Sequence, residues 1–113
     1  MRVLVCGGRD YRDQERFYGV MDALDPKPTM FIQGGSNGAD YLVTRWAEDR
    51  GIQRMDFIAS WSSHGKAAGP IRNQQMLDQG KPDLVLAFPG GRGTADMVRR
   101  AEAAGVPVRS VPA

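Results

Sequence analysis

Short extended segments alternate along this chain with segments whose apolar residues recur at helical spacing, and this alternation constrains the fold more than any other feature. The extended segments are Arg2–Cys6, Met30–Gln33, Gln53–Ile58, Leu84–Phe88 and Pro107–Val111. Most are short apolar runs rather than polar–apolar alternations, as expected of parallel strands covered on both faces. The first helical segment, about Gln14 to Leu24, gathers Phe17, Val20, Met21 and Leu24 on one face, with Asp13 placed as N-cap. The second, about Ala39 to Arg50, gathers Ala39, Leu42, Val43, Trp46 and Ala47, and Gly51 suits its C-cap. A thinner pattern from Ile71 to Gln79 ends at Gly80, and a last helix from about Thr94 to Ala104 carries Met97, Val98, Ala101 and Ala104 before Gly105. The order predicts an α/β fold: a Rossmann-like three-layer sandwich with a mostly parallel five-stranded sheet, strand order 3-2-1-4-5, and right-handed crossovers.

Residues 1–113 read as one domain, since no linker, repeat or low-complexity stretch divides them. Apolar runs are too short for a membrane span or a signal peptide, so no membrane partner and a cytoplasmic location are expected. The single Cys6 and single His64 argue against a disulfide and against a structural metal site. A formal net charge of +2, with the basic residues dispersed, gives little support for nucleic acid. Arg99-Arg100, the one adjacent basic pair, reads as a solvated helix face.

In a parallel sheet every strand-to-helix loop leaves from the carboxyl edge, where ligands bind. Three such loops here start with, or close to, a glycine pair: Gly7-Gly8-Arg9-Asp10, Gly34-Gly35-Ser36-Asn37-Gly38-Ala39-Asp40, and Pro89-Gly90-Gly91-Arg92-Gly93-Thr94. Glycines let backbone N–H groups and the positive end of the next helix approach an anion, and phosphate suits that geometry. Glycine pairs also simply make tight turns; three at one edge favour a phosphate-bearing ligand. Neither the dinucleotide fingerprint nor a P-loop is matched, which removes support for nicotinamide chemistry and ATP hydrolysis, and no cofactor is expected.

Side chains refine the reading. Arg9 suits a bidentate clamp on phosphate or carboxylate, or else an internal pair with Asp10 or Asp40. Ser36 or Asn37 is placed to cap the second helix. Asp40 favours that helix's dipole, with a ribose hydroxyl as the alternative partner. The connection from Ala59 to Gly69 is long enough to fold over a ligand as a lid. Lys66 in it suits phosphate, and Trp61 suits either a base or the sheet edge. His64, the single histidine, has no acid close in sequence to orient it. Arg72 and Asn73 open the third helix where its apolar face thins, placing both toward the cleft; Asn73 alternatively bonds backbone.

On these motifs the chain resembles the SLOG superfamily, and within it the small bacterial and phage-type domains related to YspA and YpsA. The motifs are Val3 to Tyr11, Gly34 to Asp40, Gly65 to Asn73 and Phe88 to Ala95, four in order along nearly the whole chain. The resemblance implies a nucleotide-binding fold, nucleotide-derived ligands of the ADP-ribose type, and homo-oligomers paired through helices. Trp46, Met76 and Met97 are candidates for such a face or for the core. Among relatives, the LOG-type phosphoribohydrolases cleave the N-glycosidic bond of a nucleoside monophosphate with a Pro-Gly-Gly-x-Gly-Thr-x-x-Glu motif and a helical arginine. Pro89 to Thr94 match that loop and Arg72 resembles the arginine, but the glutamate falls at Met97. Glycosidic cleavage needs a carboxylate. Asp96 is adjacent, though about 100° away around a helix, and Asp10 and Asp40 are the other acids nearby. Binding or sensing of a nucleotide-like ligand is therefore the leading expectation, with a phosphoribohydrolase using Arg72 and Asp96 as the alternative. The superfamily also contains the DNA-processing protein DprA, but weak basic character and a short chain argue against strand binding here. A molybdenum-cofactor carrier role, known in related folds, has no distinctive residue to support it.

Overall fold

The computed structural model describes residues 1–34, 38–59 and 64–112. Among these residues five strands alternate with four helices: β1 Arg2–Cys6, α1 Gln14–Asp22, β2 Met30–Gln33, α2 Ala39–Arg50, β3 Gln53–Asp56, α3 Ala68–Gly80, β4 Leu84–Ala87, α4 Arg92–Ala103 and β5 Val108–Ser110. A single 3-10 turn, Gly65–Ala67, leads into α3. Every strand pair is parallel and the sheet order is β3-β2-β1-β4-β5, as the alternation predicts.

The apolar runs explain the layering. Along β1, Val3 and Val5 face one way and Leu4 and Cys6 the other, because successive side chains of a strand leave on opposite faces. Val3 and Val5 join Phe17 and Met21 of α1, Val43 and Trp46 of α2, and Phe31 and Phe88 in one core. Leu4 and Cys6 join Ile32, Val85, Met76 and Leu77 of α3, and Met97 and Ala101 of α4 in the other. Thus α1 and α2 cover one face and α3 and α4 the other. Trp46, Met76 and Met97 are all buried in these cores, so none of them supplies an outer pairing face.

Element ends differ from expectation for local reasons. Asp13 does cap α1, its carboxylate accepting from the Arg16 amide at 3.1 Å, and Gly51 ends α2 in the left-handed conformation, φ 66°. The second strand stops at Gln33, so β3 runs out of partner after Asp56. The Phe57 amide still reaches the Gln33 carbonyl at 2.8 Å, and Ile58 leaves the sheet. Helix α3 starts at Ala68, ahead of the expected Ile71, because Pro70 sits in its first turn, where no amide is needed. At its other end the left-handed residue is Lys81, φ 51°, and not Gly80. Gly80 is buried against Ile32, and a Cβ there would lie 2.9 Å from the Ile32 Cδ1.

Candidate functional site

The sheet order reverses at β1. From β1 the chain proceeds through β2 to β3 on one side, then returns to β4 and β5 on the other, so a crevice opens where the loops after β1 and β4 part. These two loops are pinned together: the Gly8 amide donates to the Pro89 carbonyl at 2.9 Å. The Gly8 carbonyl in turn accepts from the amides of Tyr11 and Ala39 at 3.2 and 3.4 Å, tying the β1 loop to the start of α2. That contact sets the N-cap of α2. The cap is Gly38, φ 78°, which has no side chain to offer a hydrogen bond. A Cβ on Gly38 would collide with the Gly8 carbonyl oxygen, so only glycine fits. Gly35, Ser36 and Asn37 lie outside the described residues.

The resulting cleft holds about 1030 Å³, at the upper limit of the roughly 300–1000 Å³ usual for small-molecule sites. It is lined by Gly7 to Asp10, by Gly34 and Asp40, by Lys66, Arg72 and Asn73, and by Pro89 to Thr94 with Asp96. The three strand-to-helix loops and α3 thus bring nearly every candidate residue together. Gly38 and His64 do not line it. Of the Ala59–Gly69 connection, residues 60–63, including Trp61, lie outside the described residues.

Helix α4 begins at Arg92, two residues before the expected Thr94, with Gly91 as N-cap. The amides of Arg92, Gly93 and Thr94 have no acceptor within the helix, and no side chain caps them. Gly91 and Gly93 face open space: a Cβ on either would meet nothing within 4 Å. Packing therefore demands glycine at neither position, and a glycine inside a helix costs up to about 1 kcal/mol relative to alanine.

Arg72 projects from α3 to the end of β2. Its guanidinium donates to the Gly34 carbonyl at 2.8 Å and to the Asn73 side-chain oxygen at 3.2 Å. It lies so close over Gly34 that any Cβ there would strike it. Burial lowers the pKa of Arg72; the Asp40 charge opposes that shift and the like charge of Arg9 adds to it. Asn73, buried, donates to the Gly93 carbonyl at 3.2 Å and to the Asp96 carboxylate at 3.0 Å, so it binds both backbone and side chain of α4.

Asp96 is held in place. Besides Asn73, its carboxylate accepts from Arg100 at 2.8 Å and Arg99 at 3.0 Å, and its side chain is 13% exposed. Burial alone would raise its pKa, but the hydrogen bonds from Asn73 and Arg100 and the charges of Arg100 and Arg99 outweigh this and hold it below the ordinary carboxylate value. Met97, the next residue, is 0% exposed and packs in the core shared by α3 and α4.

The remaining polar groups sit around the mouth. Arg9 and Asp10 are exposed at the lip, and among the described residues Arg9 forms no ion pair with Asp10 or Asp40. Asp40 is buried in the first turn of α2. Burial, then the Asp40 charge, pushes the Cys6 thiol up to about 12, so it stays protonated. Among the described residues no cluster of His, Cys, Asp and Glu could hold a metal ion. The sequence reading missed Tyr11, Ile58, Ala59, Pro70 and Met76, which also line the cleft. Tyr11 directly follows the β1 glycine loop, its ring 5.3 Å from that of Phe88. Ile58 was legible only as a strand residue, and its release from the sheet depends on where β2 ends.

This arrangement defines a Rossmann-like domain with a glycine-loop cleft at the switch point of its sheet. Residues 1–64 match the YspA, cpYpsA-related SLOG family, and the chain belongs to that family. It is similar over 95% of its length, at 38% identity, to the Gene 61 protein of Mycobacterium phage D29, covering 93% of that protein. Its fold is similar to that of DNA processing protein A (DprA) from Streptococcus pneumoniae, with a TM-score of 0.81 and 17% identity over 99% of this chain. The chain spans half the length of that DprA chain. At family level, membership supports a nucleotide-related role. No helix among the described residues is long and apolar enough to cross a membrane.

Proposed function

We propose that the cleft binds a nucleotide-derived, phosphate-bearing small molecule, and that the protein holds this ligand without cleaving it. One observation carries the reading: Gly93 sits in the first turn of α4, at its open N-terminus, with no steric need for glycine. A glycine that weakens a helix and relieves no clash is accounted for by what must approach it from outside, and uncapped amides at the positive end of a helix suit phosphate. Arg9, Lys66 and Arg92 around the same cleft add positive charge.

Cleavage of a glycosidic bond requires a carboxylate free to stabilise an oxocarbenium-like ribose or to activate water. Asp96 has its oxygens committed to Asn73, Arg99 and Arg100, and the neighbouring Met97 is in the core. These contacts disfavour the phosphoribohydrolase alternative. Calorimetric titration with nucleoside monophosphates tests the binding, and chromatography of the same mixtures tests the chemistry. Wild-type protein is expected to bind AMP and release no adenine. Gly93→Asp adds a carboxylate that suits a helix first turn yet occupies the anion position, so this variant should fold and lose the ligand. Adenine release that Asp96→Ala abolishes would establish the hydrolase instead.

A further inference from the structure

The α4 N-terminus accounts for one end of the cleft, and the opposite end differs in character. There the lining residues include Ile58, Ala59 and Pro70, all apolar. Ile58 is 70% exposed, the most exposed large hydrophobic among the described residues. A lone exposed isoleucine on an outer surface needs no explanation. This one lines a cleft whose other exposed residues are glycines and charged side chains.

Its distance from the anion end follows from the sheet. Ile58 leaves the end of β3, and α4 starts from the end of β4, three places away in the order β3-β2-β1-β4. Three inter-strand spacings of about 4.8 Å separate them by about 14 Å. Between them, over β2 and β1, lie Arg72 and Arg9, polar groups suited to sugar hydroxyls. From β4 to β3 the cleft thus reads anion site, polar middle, apolar end.

We propose that Ile58 is the platform for the nucleobase of the proposed nucleotide and sets the preference of the cleft among bases. This inference rests on the phosphate reading of the α4 N-terminus. A sugar phosphate would fill the anion site and the middle and leave Ile58 in water. A base extends the ligand to β3 and covers the side chain. An aliphatic contact has no hydrogen-bond code, so it favours larger base faces and tolerates their edges.

The test is calorimetric titration of the full chain with AMP, UMP and ribose 5-phosphate, in wild type, Ile58→Ser and Ile58→Val. Wild type should bind AMP most tightly, then UMP, then ribose 5-phosphate. Ile58→Ser, at an exposed position that leaves the fold intact, should weaken AMP about tenfold, as loss of part of an aliphatic burial predicts. It should leave ribose 5-phosphate unchanged, and Ile58→Val should restore most of the AMP affinity. Equal wild-type affinity for AMP and ribose 5-phosphate would overturn the platform and leave the phosphate site standing. So would an Ile58→Ser variant that binds AMP like wild type or loses both ligands in parallel. A wild type that binds none of the three compounds removes the phosphate reading itself, and the platform with it.

Discussion

Met97 and Asp96 are neighbours with opposite fates, and the difference is the 100° turn between successive helical residues. Met97 points between α3 and α4, 0% exposed, while Asp96 points to Asn73 and the cleft. Placing a glutamate here by Met97→Glu would therefore bury a carboxylate among Leu4, Ile32, Met76 and Val85. Such a variant is expected to lose about 3–5 kcal/mol of stability or fail to fold, and to gain no nucleosidase activity. Urea denaturation and an adenine-release assay check both halves. Stable Met97→Glu protein that hydrolyses AMP would show that the helix can rotate its first turns into the cleft.

Asp96 also predicts a pH dependence. Its folded pKa is held down, so its stabilising contribution is complete above the unfolded value of about 3.9 and is lost as pH falls through the lower folded value. Replacing it with asparagine should cost about 1–3 kcal/mol at pH 7, since it breaks charged hydrogen bonds in a largely buried network. The difference between Asp96→Asn and wild type should shrink once the pH drops below about 4. Asp22 is depressed as well, first by its hydrogen bond from Arg50, but it is about half exposed and contributes little. A gap that stayed constant down to pH 2 would mean that Asp96 is not the group titrating.

At the scale of elements, the strands and helices were legible because each buries a continuous apolar run or stripe, and the three glycine loops because they interrupt that pattern at fixed places. What the sequence hides is which glycine serves which purpose. Gly34 makes room for Arg72, Gly38 for the Gly8 carbonyl and Gly80 for Ile32, whereas Gly91 and Gly93 make room for nothing in the protein. All five look alike in a string of letters, since the partner atoms come from segments dozens of residues away. The same holds for Asn73, whose two contacts on α4 are 20 and 23 residues distant. The sorting of the glycines yields a paired prediction. Gly93→Ala should raise stability by up to about 1 kcal/mol, or about 4 °C in Tm, while weakening the nucleotide. Calorimetry for the ligand and thermal melts for the fold separate the two. A variant that is both more stable and fully able to bind would assign Gly93 no role in the cleft.

At the scale of the whole molecule, fold likeness and charge point in different directions, and magnitude decides between them. The sheet and helices superpose on DprA, but at 17% identity that likeness concerns architecture. A chain of net charge +2 offers little of the sequence-independent phosphate attraction on which strand binding depends. Its cleft, by contrast, lies over the mutually pinned β1 and β4 loops and is sized for a small molecule. Ligand binding to the folded state alone stabilises it by about 2.7 kcal/mol at a hundredfold excess over Kd. For a domain of this length that amounts to about 10 °C in Tm. AMP at such an excess should therefore raise the melting temperature by about that amount, with little change between 50 and 200 mM salt. An equivalent concentration of a single-stranded oligonucleotide should leave it unmoved. If the oligonucleotide raised Tm at 50 mM salt and the effect collapsed by 200 mM, counterion release would be the driving term, and the basic lip formed by Arg9, Arg92 and Arg99 would be a track for a strand rather than the mouth of a small-molecule site.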